Sequence, residues 1–207
     1  MMRRLKQRES FAAVIGAVVV TMVIHWSNAR TVSAADGKSA SISETASTAK
    51  SDDRMKASVK DCHDGDTCRV VTETGHMWMN VRLAGIDAPE RANRHNKSKG
   101  QPMGDAAREF VNDQVAGKTV DLEQVDLDAY NRPVVVIWNG PKNVNMTIVE
   151  EGMAEAYRGP VKRIDQDAYV KAEARAKAAA KGIWRLPASE RQSPAEYRKQ
   201  IRANRKN

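Results

Sequence analysis

Cysteine is scarce in this chain of 207 residues. Cys62 and Cys68 are too few for a disulfide-stapled scaffold or a four-ligand zinc site. Histidine is nearly as rare, and His25, His63, His76 and His95 lack metal-type spacing, so they read as loop, strand or leader residues rather than ligands. Long apolar runs are missing as well. The one uncharged stretch, Phe11–Ile24, falls short of the roughly 20 residues that a spanning helix needs. The net charge of +8 is carried by the ends: residues 1–34 and 186–207 hold +4 each, and residues 35–185 are neutral. Bulk basicity is therefore a poor argument for a nucleic-acid partner. The hydrophobic fraction of 41% is slightly low but supports one core, and the length fits one domain with appendages.

What is present falls into four segments. Residues 1–34 join a basic start (Arg3, Arg4, Lys6, Arg8) to the apolar stretch and to the small residues Ser27-Asn28-Ala29 and Val32-Ser33-Ala34. This is the pattern of a signal peptide, with an uncleaved N-terminal anchor helped by Trp26 as the alternative; either exports the protein to the periplasm or medium, the anchor with membrane association. Residues 35–56, rich in Ser, Ala and Thr without apolar period, are expected to be a disordered linker. The globular domain is expected over 57–185, and a basic tail over 186–207.

Within the domain, Ala57–His63 and Thr67–Thr72 read as strands joined by the Asp64-Gly65-Asp66 turn. Met77, Met79, Val81 and Leu83 alternate, which predicts a third strand with Arg82 on the other face. Residues 91–103 have no periodicity and predict a mobile loop with the basic Arg91, Arg94, Lys97 and Lys99. Gly104–Val115 carries a helical stripe, Thr119–Val125 and Pro133–Trp138 are two more strands, Val144–Glu151 is a short helix, and the Ala/Lys-rich 165–181 is a strong one ended by Gly182. Five strands interrupted by a helix predict an α+β, mainly β fold: a five-stranded OB-type barrel with about three helices. In the tail, Ser193-Pro194 pairs an N-cap with an N1 proline, which starts a short basic helix. That tail fits a nucleic-acid contact, an anionic membrane contact or a disordered end.

Two acidic clusters carry the chemistry: Asp64-Gly65-Asp66-Thr67 and Asp87-Ala88-Pro89-Glu90. A returning strand brings them together. Carboxylate and carbonyl oxygens without His or Cys favour Ca²⁺ or Mg²⁺. The bland alternative for the first cluster is a plain hairpin turn. Glu90 suits the orientation or deprotonation of a water. Arg82 and Arg132 are planar forks matched to phosphate oxygens, against the alternative of surface ion pairs with Asp126 or Asp128. Cys62 and Cys68 flank the first turn on strands that should pair. In an oxidising compartment they would form a disulfide bracing the loop; the alternative is two free thiols.

Taken together, Asp64-Gly65-Asp66-Thr67, Val81–Glu90, Asp128-Ala129-Tyr130-Asn131-Arg132, Glu151-Gly152-Met153-Ala154 and Lys181-Gly182-Ile183-Trp184 resemble the staphylococcal-nuclease-like (thermonuclease) family over about residues 57–185. The resemblance implies an OB-fold endonuclease that hydrolyses DNA and RNA with Ca²⁺, acts as a monomer, and leaves 3′-phosphates and 5′-hydroxyls. By position, it implies that Asp66 and Asp87 are side-chain Ca²⁺ ligands. Ala88 supplies a backbone carbonyl and Asp64 supports them from behind. Arg82 and Arg132 hold the phosphate, Glu90 is the general base or water positioner, and Tyr130 and Tyr157 line the nucleotide site. Ala88 stands where the family often has Thr, and Asn131 where Gly is common; neither removes a reacting group. A non-catalytic OB module that only binds nucleic acid is the alternative, and it would be favoured by loss of Arg82, Glu90 or Arg132, all of which are kept.

Overall fold

The structure, a computed structural model, describes residues 53–75, 77–95 and 98–205. The expected leader, nearly all of the expected linker, His25, His76 and Lys97 lie outside the described residues. The described strands are β1 (Arg54–Cys62), β2 (Thr67–Thr72), β3 (Met79–Leu83), β4 (Ile86–Asp87), β5 (Thr119–Leu127), β6 (Pro133–Asn139), β7 (Lys142–Asn143) and β8 (Glu155–Ala156). The α-helices among them are α1 (Gly104–Val115), α2 (Val144–Glu150), α3 (Gln166–Ala178) and α4 (Pro194–Asn204).

The sheet closes on itself. Antiparallel ladders run in the order β3-β2-β1-β5-β6, and a parallel pairing of Arg82 with Val134 and Leu83 with Val135 joins β3 back to β6. The result is the expected five-stranded barrel with helices around it. Its interior follows from the alternation of each strand. Val59, Val70, Val81, Leu83, Leu122, Val135 and Ile137 are all buried, and α1, α2 and α3 add Val111, Val115, Ile148, Val149, Tyr169 and Ala172 to the same core. Each such large side chain is worth roughly 1.5–3 kcal/mol of burial.

The structure differs from the sequence expectations at three boundaries. β1 begins at Arg54, inside the expected linker, because Arg54, Met55 and Lys56 find ladder partners in Glu123, Leu122 and Asp121 of β5. The third strand begins at Met79; Met77, two residues earlier, is 79% exposed and has left the ladder before its alternation can reach the core. The described part of the 91–103 loop is tied down. Asn93 and Ser98 exchange backbone hydrogen bonds, Gln101 is bound to Glu90, and the Ser98 and Tyr197 hydroxyls lie 2.9 Å apart. Side-chain partners and a contact with the tail organise a segment that has no periodicity of its own.

The glycines of two sequence signatures face each other. A Cβ on Gly182 would lie 2.1 Å from the Gly152 carbonyl oxygen, and one on Gly152 would lie 2.4 Å from that of Lys181. Both have positive φ, and the Ile183 N–H donates to the Gly152 oxygen at 2.8 Å. This contact locks the end of α3 against the end of α2. The tail ends in α4, whose first turn is capped by the Ser193 hydroxyl accepting from the Glu196 N–H at 3.2 Å.

Candidate active site

The first acidic cluster sits in the β1–β2 turn. Cys62 and Cys68 are opposite each other across the two strands and are joined by a disulfide. Behind them Asn112 of α1 takes both backbone groups of Cys62: its Oδ1 accepts from the N–H at 2.8 Å, and its Nδ2 donates to the carbonyl at 2.8 Å. Gly65 has room only for hydrogen, since a Cβ there would lie 2.6 Å from the Ala88 methyl and 2.9 Å from that of Ala107. The turn is thus pressed against both α1 and the second acidic cluster. Asp64 shapes it from within by accepting the Asp66 N–H at 3.1 Å.

The second cluster is positioned by a strand pair that the sequence does not announce. Ile86 pairs with Ala156 and Asp87 with Glu155, so β4 and β8 form a separate two-stranded ribbon. Glu173 of α3, nearly inaccessible, anchors this ribbon by accepting from the Ala156 N–H at 3.1 Å, and pairs with Arg158 and Lys177.

Arg82 of β3 joins the clusters. Its Nη1 lies 2.5 Å from Asp66 Oδ1 and its Nη2 lies 3.1 Å from Asp87 Oδ1. Asp66 is 3% exposed; its Oδ2 accepts the Ala88 N–H at 2.9 Å and its Oδ1 the Thr67 hydroxyl at 3.2 Å. Asp87 is 5% exposed. A second guanidinium, from Arg198 of α4, grips Asp87 with both arms: Nη1 to Oδ1 at 2.9 Å and Nη2 to Oδ2 at 2.8 Å. The same Nη1 lies 2.8 Å from Glu90 Oε1. Glu90 is held through its backbone, donating to Gln101 Oε1 at 3.0 Å and accepting from the Gln101 N–H at 2.8 Å.

Electrostatics follow from this crowding. Burial pushes the Asp66 carboxyl up, Asp64 and Asp87 add to that, and Arg82 and the Ala88 N–H oppose it. Burial works against the charge on Arg82, but Asp66, Asp87 and Asp64 more than offset it and hold the guanidinium above its ordinary value. The hydrogen bond to Asp87 raises Arg198 in the same way, with Glu90 adding to it. Asp64, Asp66, Asp87 and Glu90 thus outnumber the two guanidiniums that touch this cluster.

Beside the cluster lies a cavity of about 580 Å³ lined by Asp64, Asp66, Arg82, Ala88, Glu90, Tyr130, Arg132 and Tyr157, together with Arg198 and Arg202. Asp87 is not part of the lining; its two oxygens are taken up by Arg82 and Arg198. Arg132 enters from the β5–β6 turn, where Asn131 has φ 61, the left-handed conformation that a glycine or asparagine tolerates. Asp128 builds that turn. It accepts the N–H groups of Tyr130 and Arg132, each at 2.9 Å, and pairs with Arg132 Nε at 2.6 Å. Although burial pushes the Asp128 carboxyl up, these Arg132 and Tyr130 donors hold it below the usual range. The ion pair of Arg132 with Asp128 and its place on the cavity wall coexist: Nε faces Asp128. Tyr130 is 82% exposed, with the Arg132 guanidinium 5.6 Å from its ring centre.

Sequence reasoning missed Arg198, Gln101, Asn112 and Asn145. Asn145 is fully buried and stitches the barrel closure: its Oδ1 accepts from Ile137 N–H at 3.0 Å, and its Nδ2 donates to Ala84 and Val135 carbonyls at 3.0 and 2.9 Å. An asparagine inside an apolar helical stripe was the available signal for it. No sequence signal placed Arg198.

Among the described residues no three of His, Cys, Asp or Glu are arranged as a metal cluster; Arg82 stands between Asp66 and Asp87 instead. The donor chemistry nevertheless fits a hard divalent cation. All the side-chain donors are carboxylate oxygens, two of them almost fully buried, and their negative charge exceeds that of the arginines that touch them.

The sequence model of the family described as Staphylococcal nuclease homologue matches residues 80–186. A probable endonuclease LCL3 of Vanderwaltozyma polyspora is 38% identical over 129 residues, covering 59% of this chain and 45% of that protein. The corresponding protein of Saccharomyces cerevisiae is 36% identical over 129 residues, 58% of this chain and 46% of its own length. An uncharacterized endonuclease of Haemophilus influenzae is 33% identical over 142 residues, 68% of this chain and 71% of its own length. The chain thus spans about half the length of the yeast relatives and over two thirds of the bacterial one. With the closed barrel, this match means that the chain belongs to the staphylococcal nuclease homologue family.

Proposed function

We propose that the protein is an exported, Ca²⁺-dependent nuclease that hydrolyses phosphodiester bonds of DNA and RNA and leaves 3′-phosphates. The observation that carries this is the meeting of Asp66, Arg82, Asp87 and Glu90 in one hydrogen-bonded cluster beside a cavity that Arg132, Tyr130 and Tyr157 also line. Asp66 and Asp87, with the Ala88 carbonyl and Asp64 behind them, are the groups that would hold Ca²⁺; when bound, it supplies Lewis-acid polarisation of a phosphate oxygen.

The remaining work falls to the chain. Glu90, anchored through its backbone, orients a water with its carboxylate and takes its proton. Arg82 and Arg132 present planar donors to the phosphate oxygens and offset the charge that builds up as water attacks. The exposed ring of Tyr130 offers a stacking face for a base, which every base satisfies equally. Because water is the nucleophile, no 2′-hydroxyl is needed and both sugars are accepted. Export is supported by the leader pattern in the sequence and by the disulfide, a bond of oxidising compartments. Against a non-catalytic binding module stands the retention of Arg82, Glu90 and Arg132.

The test is incubation of the purified protein with plasmid DNA and with RNA, in Ca²⁺ or in EGTA. Degradation of both polymers in Ca²⁺, abolished by EGTA and restored by excess Ca²⁺, is expected. Intact polymers in Ca²⁺ would overturn the assignment.

A further inference from the structure

The catalytic cluster has an occupant from outside the barrel. Arg198 reaches it from α4, beyond the stretch that the family match covers. Its guanidinium takes both oxygens of Asp87 and one of Glu90, at 2.8–2.9 Å. These are the ligand and the base on which the proposed hydrolysis depends. A charge-assisted, two-armed contact of this kind uses the lone pairs that a cation or a water would need.

Arg82 and Arg198 differ in how they are held. Arg82 belongs to β3, paired on both sides, so its backbone is fixed by the barrel. Arg198 sits on an appended helix that buries only Pro194. Besides Arg198, polar contacts tie α4 and the segment before it to the loop under Glu90: Tyr197 to Ser98, and the Gln101 side-chain amide to the Gln192 carbonyl at 2.7 Å. Few apolar contacts resist its displacement, and a guanidinium on a flexible stem can swing away even while the helix stays. Arg198 also lines the cavity, so a phosphate there offers it an alternative partner of matching geometry.

Resting on the Ca²⁺-dependent function proposed above, we infer that Arg198 is an intramolecular competitor of the divalent cation, and that α4 keeps Asp87 and Glu90 closed to metal until Arg198 is displaced. The apparent metal affinity is then the intrinsic affinity reduced by the fraction of molecules with Arg198 withdrawn.

Calcium binding measured by isothermal titration calorimetry, with no substrate present, tests this on the purified wild type, Arg198→Ala, Arg198→Met and Asp87→Asn. Circular dichroism checks that each variant is folded; Arg198→Met keeps the side-chain volume if alanine loosens α4. The expected result is a Kd lower by about tenfold or more in both Arg198 variants, and binding weakened in Asp87→Asn. Equal or weaker binding in folded Arg198 variants, with the wild type binding Ca²⁺ and Asp87→Asn not, overturns the competition while the metal site stands. No Ca²⁺ binding by any form, Arg198 variants included, overturns both the metal-dependent function and this inference.

Discussion

Arg198 and Asp87, 111 residues apart in the chain, meet as a two-armed ion pair with both nitrogen–oxygen distances below 3 Å. The pair belongs to a connected group of charges with Arg82, Asp66 and Glu90. Arg82 holds Asp87 from the barrel side and links it to Asp66, while Glu90 shares Arg198. Removing any one member leaves the others with a changed charge balance, so the most informative substitutions are those that alter one function at a time.

Glu90→Gln removes the proton acceptor and, with it, the charge that pairs with Arg198. The side chain keeps its shape, and the backbone stays clamped by Gln101. Loss of the proton acceptor is expected to lower kcat by about 10²–10⁴-fold on both DNA and RNA. Initial rates in saturating Ca²⁺, with circular dichroism to check the fold, measure it. An unchanged rate would remove Glu90 from the chemistry.

Asp128→Ala tests positioning. Asp128 holds the Arg132 Nε and two N–H groups of the turn. Freeing that turn is expected to reduce kcat by about 10–100-fold, since small misplacements of a phosphate-binding group are costly. Asp128→Glu should recover part of the loss, and steady-state kinetics on one DNA substrate reads both.

Asn145→Ala should act on stability. Its amide satisfies three buried backbone groups across the β3–β6 closure. The Val135 carbonyl keeps the Ala84 N–H at 2.8 Å, but taking their partner from the Ile137 N–H and the Ala84 carbonyl is expected to cost about 3 kcal/mol. Urea unfolding gives the value. A cost below about 1 kcal/mol would mean the closure does not depend on this side chain.

Tyr169 predicts an alkaline limit. Burial pushes its phenol up to about 12, with the Asn143 hydrogen bond opposing. Between its ordinary value of about 10 and that figure, the unfolded chain loses the proton and the folded chain keeps it. The unfolded state then binds fewer protons, so stability falls as pH rises through this window, by about 2–3 kcal/mol. Urea unfolding at pH 9 and pH 11.5 should show a smaller loss in Tyr169→Phe than in wild type. Equal losses would mean Tyr169 is not the group responsible.

Much of the framework was legible in the sequence because local rules govern it. Short β-type runs marked β2, β5 and β6, alternation marked β3, helical periodicity marked α1, and glycine marked the ends of α2 and α3. The acidic clusters and Arg82 were legible through motif and spacing, since a turn and a returning strand bring them together over a short separation. Boundaries were less so: Met77 keeps the period of β3 yet lies in solvent, since period alone does not say where hydrogen-bonding partners run out.

The sequence by itself determined which residue types were available: oxygen ligands without histidine or thiolate, planar arginines, two cysteines flanking one turn. Only the tertiary structure decided their pairings. Barrel closure brought Arg82 beside Val134, the β4–β8 ribbon set Asp87 in place, and α4 put Arg198 against it. The physical reason is that an ion pair between distant residues leaves no period and no spacing in the chain. Its partners are chosen by which surfaces the packed elements bring within about 3 Å of one another.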